Sequence, residues 1–169
     1  CVVLFTNCTT TGSQTAPKTT DHPIYLQLYS VRDDISKDFD ATIQKVAEMG
    51  YDGIEAANYD NGKFYGMTPT EFKDKIEGLG MTVLSSHTGK ALPADVTTTN
   101  WDEVWSWWDQ CINAHKEAGM QYIVVPAMPR PSTLEALQVY CDYYNQIGEK
   151  CQAAGMKFVE VDAPDPTGD

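Results

Sequence analysis

The chain has 169 residues, enough for one domain and part of a second, and its 42% hydrophobic content can bury a real core. Twelve basic against twenty-four acidic residues leave a net charge of −12, which excludes a nucleic-acid surface built on a basic stripe and polybasic attachment to anionic lipid. No stretch approaches the roughly 18 apolar residues of a membrane-spanning helix.

The sequence begins at Cys1. Residues 1–8 (Cys-Val-Val-Leu-Phe-Thr-Asn-Cys) read as the remnant of a bacterial lipoprotein signal, with Cys8 as the lipid-bearing cysteine. Residues 9–22, rich in Thr with Gly12 and Pro17, form a flexible tether. A frayed tail with two incidental cysteines is the plainer alternative. The expectation is a periplasmic, membrane-anchored protein whose folded part spans residues 23–169.

Ile24–Val31 is predicted to be the first strand. Phe39, Ile43, Val46 and Ala47 then share one helical face before Gly50. Thr68-Pro69-Thr70-Glu71 is a capping box ahead of Phe72, Ile76 and Leu79. Asn100 and Glu103 open a third helix carrying Trp101, Val104, Trp105, Trp108, Cys111, Ile112 and His115 on one side. Its tryptophans read as helix packing and His115 as a core residue. Ser132-Thr133-Leu134-Glu135 reads as a further capping box, ahead of Leu137, Tyr140, Cys141, Tyr144, Ile147 and Cys151. Cys111, Cys141 and Cys151 are expected in the core. Cys141 and Cys151 would lie about 15 Å apart on one helix, too far for a disulfide.

Gly50, Gly80, Gly119 and Gly155 each end a helical stretch and are followed by one apolar residue, one polar residue and a β-rich run. The resulting order, β-α-β-α-β-α-β-α-β over residues 24–162, implies a parallel sheet with right-handed crossovers. An open doubly wound sheet and the first part of a (βα)8 barrel both fit. The first strand lacks the glycine-rich phosphate loop of a dinucleotide fold, which favours the barrel.

In such a sheet chemistry gathers at the carboxyl ends of the strands. Those ends carry Tyr29, Ser30 and Arg32; Glu55 and Asn58; His87 and Lys90; Pro126 and Arg130; Glu160 and Asp162. Glu55 and Glu160 stand equally far from their repeat glycines, with His87 two residues beyond that slot, so all three are expected on one face. Glu55 and His87 are the candidate catalytic residues, the alternatives being a rim salt bridge and a simple turn histidine. Tyr29 and Asn58 are candidate substrate contacts. Arg32, Lys90 and Arg130 could neutralise an anionic sugar or be solvated loop charges.

Tyr25-Leu26-Gln27-Leu28-Tyr29-Ser30-Val31-Arg32, Val46–Glu55 and Gly78–His87 together resemble the xylose isomerase-like TIM-barrel family of sugar phosphate isomerases and epimerases. The resemblance covers about residues 24–158. It implies a small carbohydrate substrate, a divalent metal (Mn, Mg, Co or Zn) and metal-assisted proton abstraction next to a carbonyl. A lyase or hydrolase using the same abstraction is also implied. Glu160 falls where the family places its first metal ligand. Lipoprotein-like members carry a His-Asn-His run after this strand, where this chain reads Val159-Glu160-Val161-Asp162-Ala163-Pro164-Asp165-Pro166. Most ligands are therefore expected from the intact parent. A full barrel takes about 250 residues, so the expectation is an incomplete barrel of about four and a half βα units, inactive alone. A non-catalytic carbohydrate-binding lipoprotein, or a half-barrel that assembles as a homodimer, is the alternative.

Overall fold

The computed structural model describes residues 22–93, 95–126 and 131–161. Five strands, β1 (Tyr25–Gln27), β2 (Gly53–Ala56), β5 (Thr82–His87), β6 (Tyr122–Val125) and β7 (Lys157–Glu160), form one all-parallel sheet in the order β1-β2-β5-β6-β7. Between β2 and β5 lies a small antiparallel hairpin, β3 (Tyr59–Asp60) with β4 (Lys63–Phe64). Strand order follows the chain without reversal. A doubly wound sheet reverses at a switch point, whereas a barrel adds each strand beside the last; this sheet is the opening part of a barrel.

The helices are α1 (Arg32–Ile35), α2 (Phe39–Glu48), α3 (Pro69–Glu77), α4 (Trp101–Glu117) and α5 (Leu134–Ala153). Their apolar stripes meet one face of the sheet, where Leu26, Ile54, Ala56, Val83, Ile123 and Phe158 join a single core with Ile43, Phe72, Trp108 and Ile147. The stacked Trp101 and Trp105 rings pack with Tyr143 in this layer, as their helical spacing predicts. His115 is fully buried, and its Nδ1–H donates to the Cys111 carbonyl at 2.7 Å.

Local signals set the helix starts. The Thr68 hydroxyl accepts from the Glu71 N–H while the Glu71 carboxylate accepts from the Thr68 N–H, and Asn100 caps the Glu103 N–H. The four repeat glycines all have positive φ, between 76° and 97°, the conformation in which a left-handed residue closes a helix without a Cβ clash.

Three expectations need correction. The first strand is only Tyr25–Gln27, because Leu28–Val31 winds into a 3-10 turn that buries Leu28 and leads into α1. Thr133, not Ser132, caps α5, accepting from the Ala136 N–H at 3.2 Å. Cys111 and Cys151 are buried, but Cys141 is exposed and Tyr143 takes the core position of that turn. Tyr143 suits it because its hydroxyl accepts from Trp108 Nε1 at 2.7 Å and donates to the Lys90 carbonyl at 2.9 Å. Among the described residues, no helix is long and apolar enough to cross a membrane.

Candidate functional site

The sheet face away from the helices carries a polar row, and the register explains how it arises. Gln27 pairs with Glu55, Glu55 with Ser85, and Ser85 with Tyr122. A register shift between Ile54 and Glu55 lets Ile54 and Val83 face the helices while Glu55 and Ser85 face the other way; bulges re-aim side chains in this manner. His87, two residues past Ser85, extends the row.

These side chains form one network. Glu55 accepts from Gln27 Nε2 at Oε1 (2.7 Å) and from Ser85 Oγ at Oε2 (2.6 Å). His87 Nε2 lies 3.6 Å from Glu55 Oε1, and both side chains are 19% exposed. That separation is too long for a direct hydrogen bond but within reach of a small side-chain movement. Gln27 Nε2 stands 3.1 Å from His87 Nδ1 and 3.2 Å from His87 Nε2. Near-equal distances put the amide over the ring face, since an in-plane approach between the two nitrogens would collide with Cε1. The ring's lone pair lies in its plane, so the Gln27 contact leaves it available. A carboxylate and an imidazole this close, open at one side, are a pair suited to general acid–base chemistry.

Of the other expected site residues, Tyr29, Arg32 and Asn58 meet in a hollow of about 230 Å³ just past the ends of β1 and β2, together with Leu28, Ala57 and Tyr65. Lys90 turns instead to the Trp107 ring, 5.4 Å from its centroid. Arg130, Asp162 and Cys8 lie outside the described residues.

Glu160 corrects the expectation of a shared face. Tyr122 pairs with Lys157, Val124 with Val159 and Val125 with Glu160. His87 pairs with Val124, so Glu160 is one residue out of phase with the Glu55–His87 row. It sits instead beside Tyr144, whose phenol is pushed up by burial, then by Tyr143 and by Glu160. Both line a groove of about 970 Å³ bordering β7, with Gly148 and Phe158.

Gln27 and Ser85 escaped assignment from sequence. Period-two spacing from Tyr25 would have marked Gln27, and Ser85 occupies the slot that Glu55 holds in the preceding repeat.

Among the described residues no three His, Cys, Asp or Glu side chains are grouped to hold a metal ion. Glu55 and His87 offer two donor groups, and both Glu55 oxygens already accept hydrogen bonds. The donors present do not fit a divalent-metal site.

No protein-family profile and no curated protein sequence matches the chain. Solved structures do. A sugar phosphate isomerase/epimerase from Parabacteroides distasonis ATCC 8503 superposes with a TM-score of 0.73 at 24% identity, over 91% of this chain and 60% of that one. A second sugar phosphate isomerase/epimerase from the same organism gives 0.70 at 27% identity, over 82% and 54%. A probable 3-DHS dehydratase of petrobactin synthesis from Bacillus anthracis gives 0.67 at 15% identity, over 88% and 55%. The chain thus has the fold of a partial xylose isomerase-like TIM barrel and spans a little over half the length of these neighbours.

Proposed function

We propose, from the premise of this partial xylose isomerase-like barrel, that the chain contributes the opening half of a sugar isomerase or epimerase site. In this reading a small carbohydrate lies against the Gln27–Glu55–Ser85–His87 row, and proton transfer occurs next to its carbonyl. The observation that carries the reading is the Glu55–His87 pair at the ends of neighbouring parallel strands, held by two further side chains.

His87 is the proton carrier: its ring is roofed by Gln27, and its lone pair is not used by that amide. Glu55 fixes the ring's surroundings and takes a hydrogen bond from a substrate hydroxyl or from His87 when the ring moves toward it. Gln27 and Ser85 hold the carboxylate in place. None of these steps passes through a metal ion.

The test is deuterium wash-in: a panel of ketoses and 3-keto sugars is incubated with the protein in D₂O and the proton α to the carbonyl is followed by NMR. Glu55→Gln and His87→Asn should each slow the exchange by roughly 10²-fold or more, the range of a lost acid–base group. Exchange unchanged in both variants would refute the assignment. A non-catalytic carbohydrate-binding role is the second reading, favoured by the hydrogen bonds that already hold both Glu55 oxygens. It expects no wash-in at all, with weaker sugar binding in Glu55→Gln.

The proposed location is the periplasmic face of a bacterial membrane, by a lipid on Cys8; support comes from the apolar run and Thr-rich tether. Mass spectrometry of the native protein should show the acylated Cys8, and an unmodified thiol there would remove the anchor.

A further inference from the structure

The hollow past β1 and β2 is lined by one cation, Arg32, and by no carboxylate. Arg32 lies across the Tyr29 ring, 4.4 Å from its centroid, and its Nη1 donates to the Tyr29 carbonyl at 3.0 Å. The remaining approach, Nε to the Asp33 carboxylate at 3.9 Å, is too long for a hydrogen bond. Most of the guanidinium fork is therefore unspent. Asn58, exposed at the rim, adds an amide with two donors. The Ser36 hydroxyl is turned to the Asp33 carbonyl, to which it donates at 2.8 Å.

Tyr65 is the built part of the site. Its φ of 51° is left-handed, an uncommon conformation for a bulky aromatic residue. It forms a two-residue turn with Gly66, closed by reciprocal Phe64–Met67 bonds of 3.0 and 2.9 Å. The ring is held against Phe39 at 5.0 Å and Phe72 at 5.8 Å. The Ala57 N–H donates to its hydroxyl oxygen at 3.0 Å, which leaves the hydroxyl proton free to point elsewhere. Burial pushes the phenol up to about 12, so it remains a donor throughout the physiological range. A two-residue hairpin turn with Gly66 at φ 80° calls for positive φ at both central residues, so the turn itself fixes where the Tyr65 ring stands.

An anionic oxygen only accepts, and a hydrogen bond between it and a guanidinium is stronger than one to a neutral hydroxyl. A volume of about 230 Å³ also falls short of the roughly 300–1,000 Å³ of whole ligand pockets, so the hollow suits one group of a larger molecule. We infer that it binds the anionic group of the substrate, a phosphate ester or a carboxylate, with Arg32 and the Tyr65 hydroxyl as donors. This deepens the carbohydrate reading above and rests on it. Leu28 and Tyr29 directly follow Gln27, and Ala57 and Asn58 follow Glu55 and Ala56, so the hollow lies at the same ends of β1 and β2 as the polar row. The position differs from the phosphate site after strands 7 and 8 that many barrels share.

The experiment is an NMR titration of the full chain with inorganic phosphate, a ketose phosphate, a uronate and the corresponding neutral ketose, following the Arg32 Nε–H and Asn58 amide signals. All three anions should shift these signals. One anionic sugar should bind at least about tenfold more tightly than the neutral one, a modest charge-assisted bond's worth of affinity. Which of the two does so identifies the group. Arg32→Gln and Tyr65→Phe should each remove that advantage, and Lys37→Gln, a nearby cation outside the hollow, should not. Arg32→Gln changes an exposed side chain and guards against a folding defect in Tyr65→Phe. Absence of any phosphate shift up to about 50 mM, well above a millimolar Kd, overturns the proposal. So does an advantage that survives Arg32→Gln, or one that Lys37→Gln weakens equally. If phosphate shifts Arg32 and Asn58 while no sugar binds in a Glu55-dependent way, the hollow stands and the carbohydrate reading falls.

Discussion

His87 and His115 show how surroundings divide one side-chain type between two roles. His87 stands at the open end of the sheet beside Glu55. His115 is sealed between Tyr59, Phe64 and the Cys111 carbonyl, its Nε2 without a partner among the described residues. Burial pushes its imidazole down to about 4, against a weaker upward pull from the Cys111 carbonyl. Its native affinity for a proton is thus below its unfolded affinity. The unfolded chain binds the extra proton between about pH 6.5 and 4, so the stability His115 gives is complete above pH 6.5 and drains away as pH falls through that window. A shift this size amounts to about 3 kcal/mol. Urea denaturation at pH 7 and pH 4 should show the wild type losing about that much more than His115→Leu, because the variant has no imidazole to charge. Equal losses in the two proteins would place a proton on His115 in the native state.

At the scale of elements, the legible features were those that a short run of sequence decides. The Thr68 box, the Asn100 cap and the glycine stops depend on neighbours within a few residues and stand where the pattern put them. The face of Glu160 was not legible in this way. Glu55 and Glu160 are equally spaced from their glycines, yet Glu55 aligns through Ser85 and Tyr122 with Lys157, three residues short of Glu160. The register shift at Ile54/Glu55 and the stagger between strands accumulate across the sheet, and neither is written in any single repeat. Gln27 and Ser85 stand at positions that strand alternation and the repeat slot mark, but only the pairing of β1, β2 and β5 brings them onto Glu55. Gly53 offers a test of the close β2–β5 approach that follows. A methyl group there would run into the Thr82 carbonyl and the Tyr25 ring. Gly53→Ala should cost about 1–3 kcal/mol, the usual range for overpacking, read as a lower thermal midpoint. Gly148, whose added Cβ would meet nothing within 4 Å, lies inside α5. Gly148→Ala should stabilise by roughly 0.5–1 kcal/mol through helix propensity alone. A loss in Gly148→Ala would mean that another part of the protein packs closely against that turn.

For the whole molecule, exposed apolar side chains of the described residues gather on β7 and α5. Among the described residues β7 pairs only with β6, which leaves its outer side without a strand. Val159 and Val161 are 37% and 42% exposed along it, and Leu134, Leu137 and Val139 are exposed on α5. A groove of about 970 Å³ lies between β7 and α5, and neither Glu55 nor His87 lines it. An unpaired, apolar strand edge templates association with another chain. The net charge of −12 opposes that association at low salt, and screening weakens the opposition as ionic strength rises. The chain alone is therefore expected to self-associate, more strongly at 0.5 M salt than at 0.05 M (screening lengths of about 4 Å and 14 Å). Light scattering after size exclusion should show this at about 100 μM, within the range where exposed edges aggregate. Val159→Lys with Leu137→Lys, one change on the strand edge and one on the helix, should return a monomer without altering far-UV circular dichroism. A wild-type monomer at both salt concentrations would mean that the edge is covered within the chain itself, and the groove would then be the place to look for what covers it.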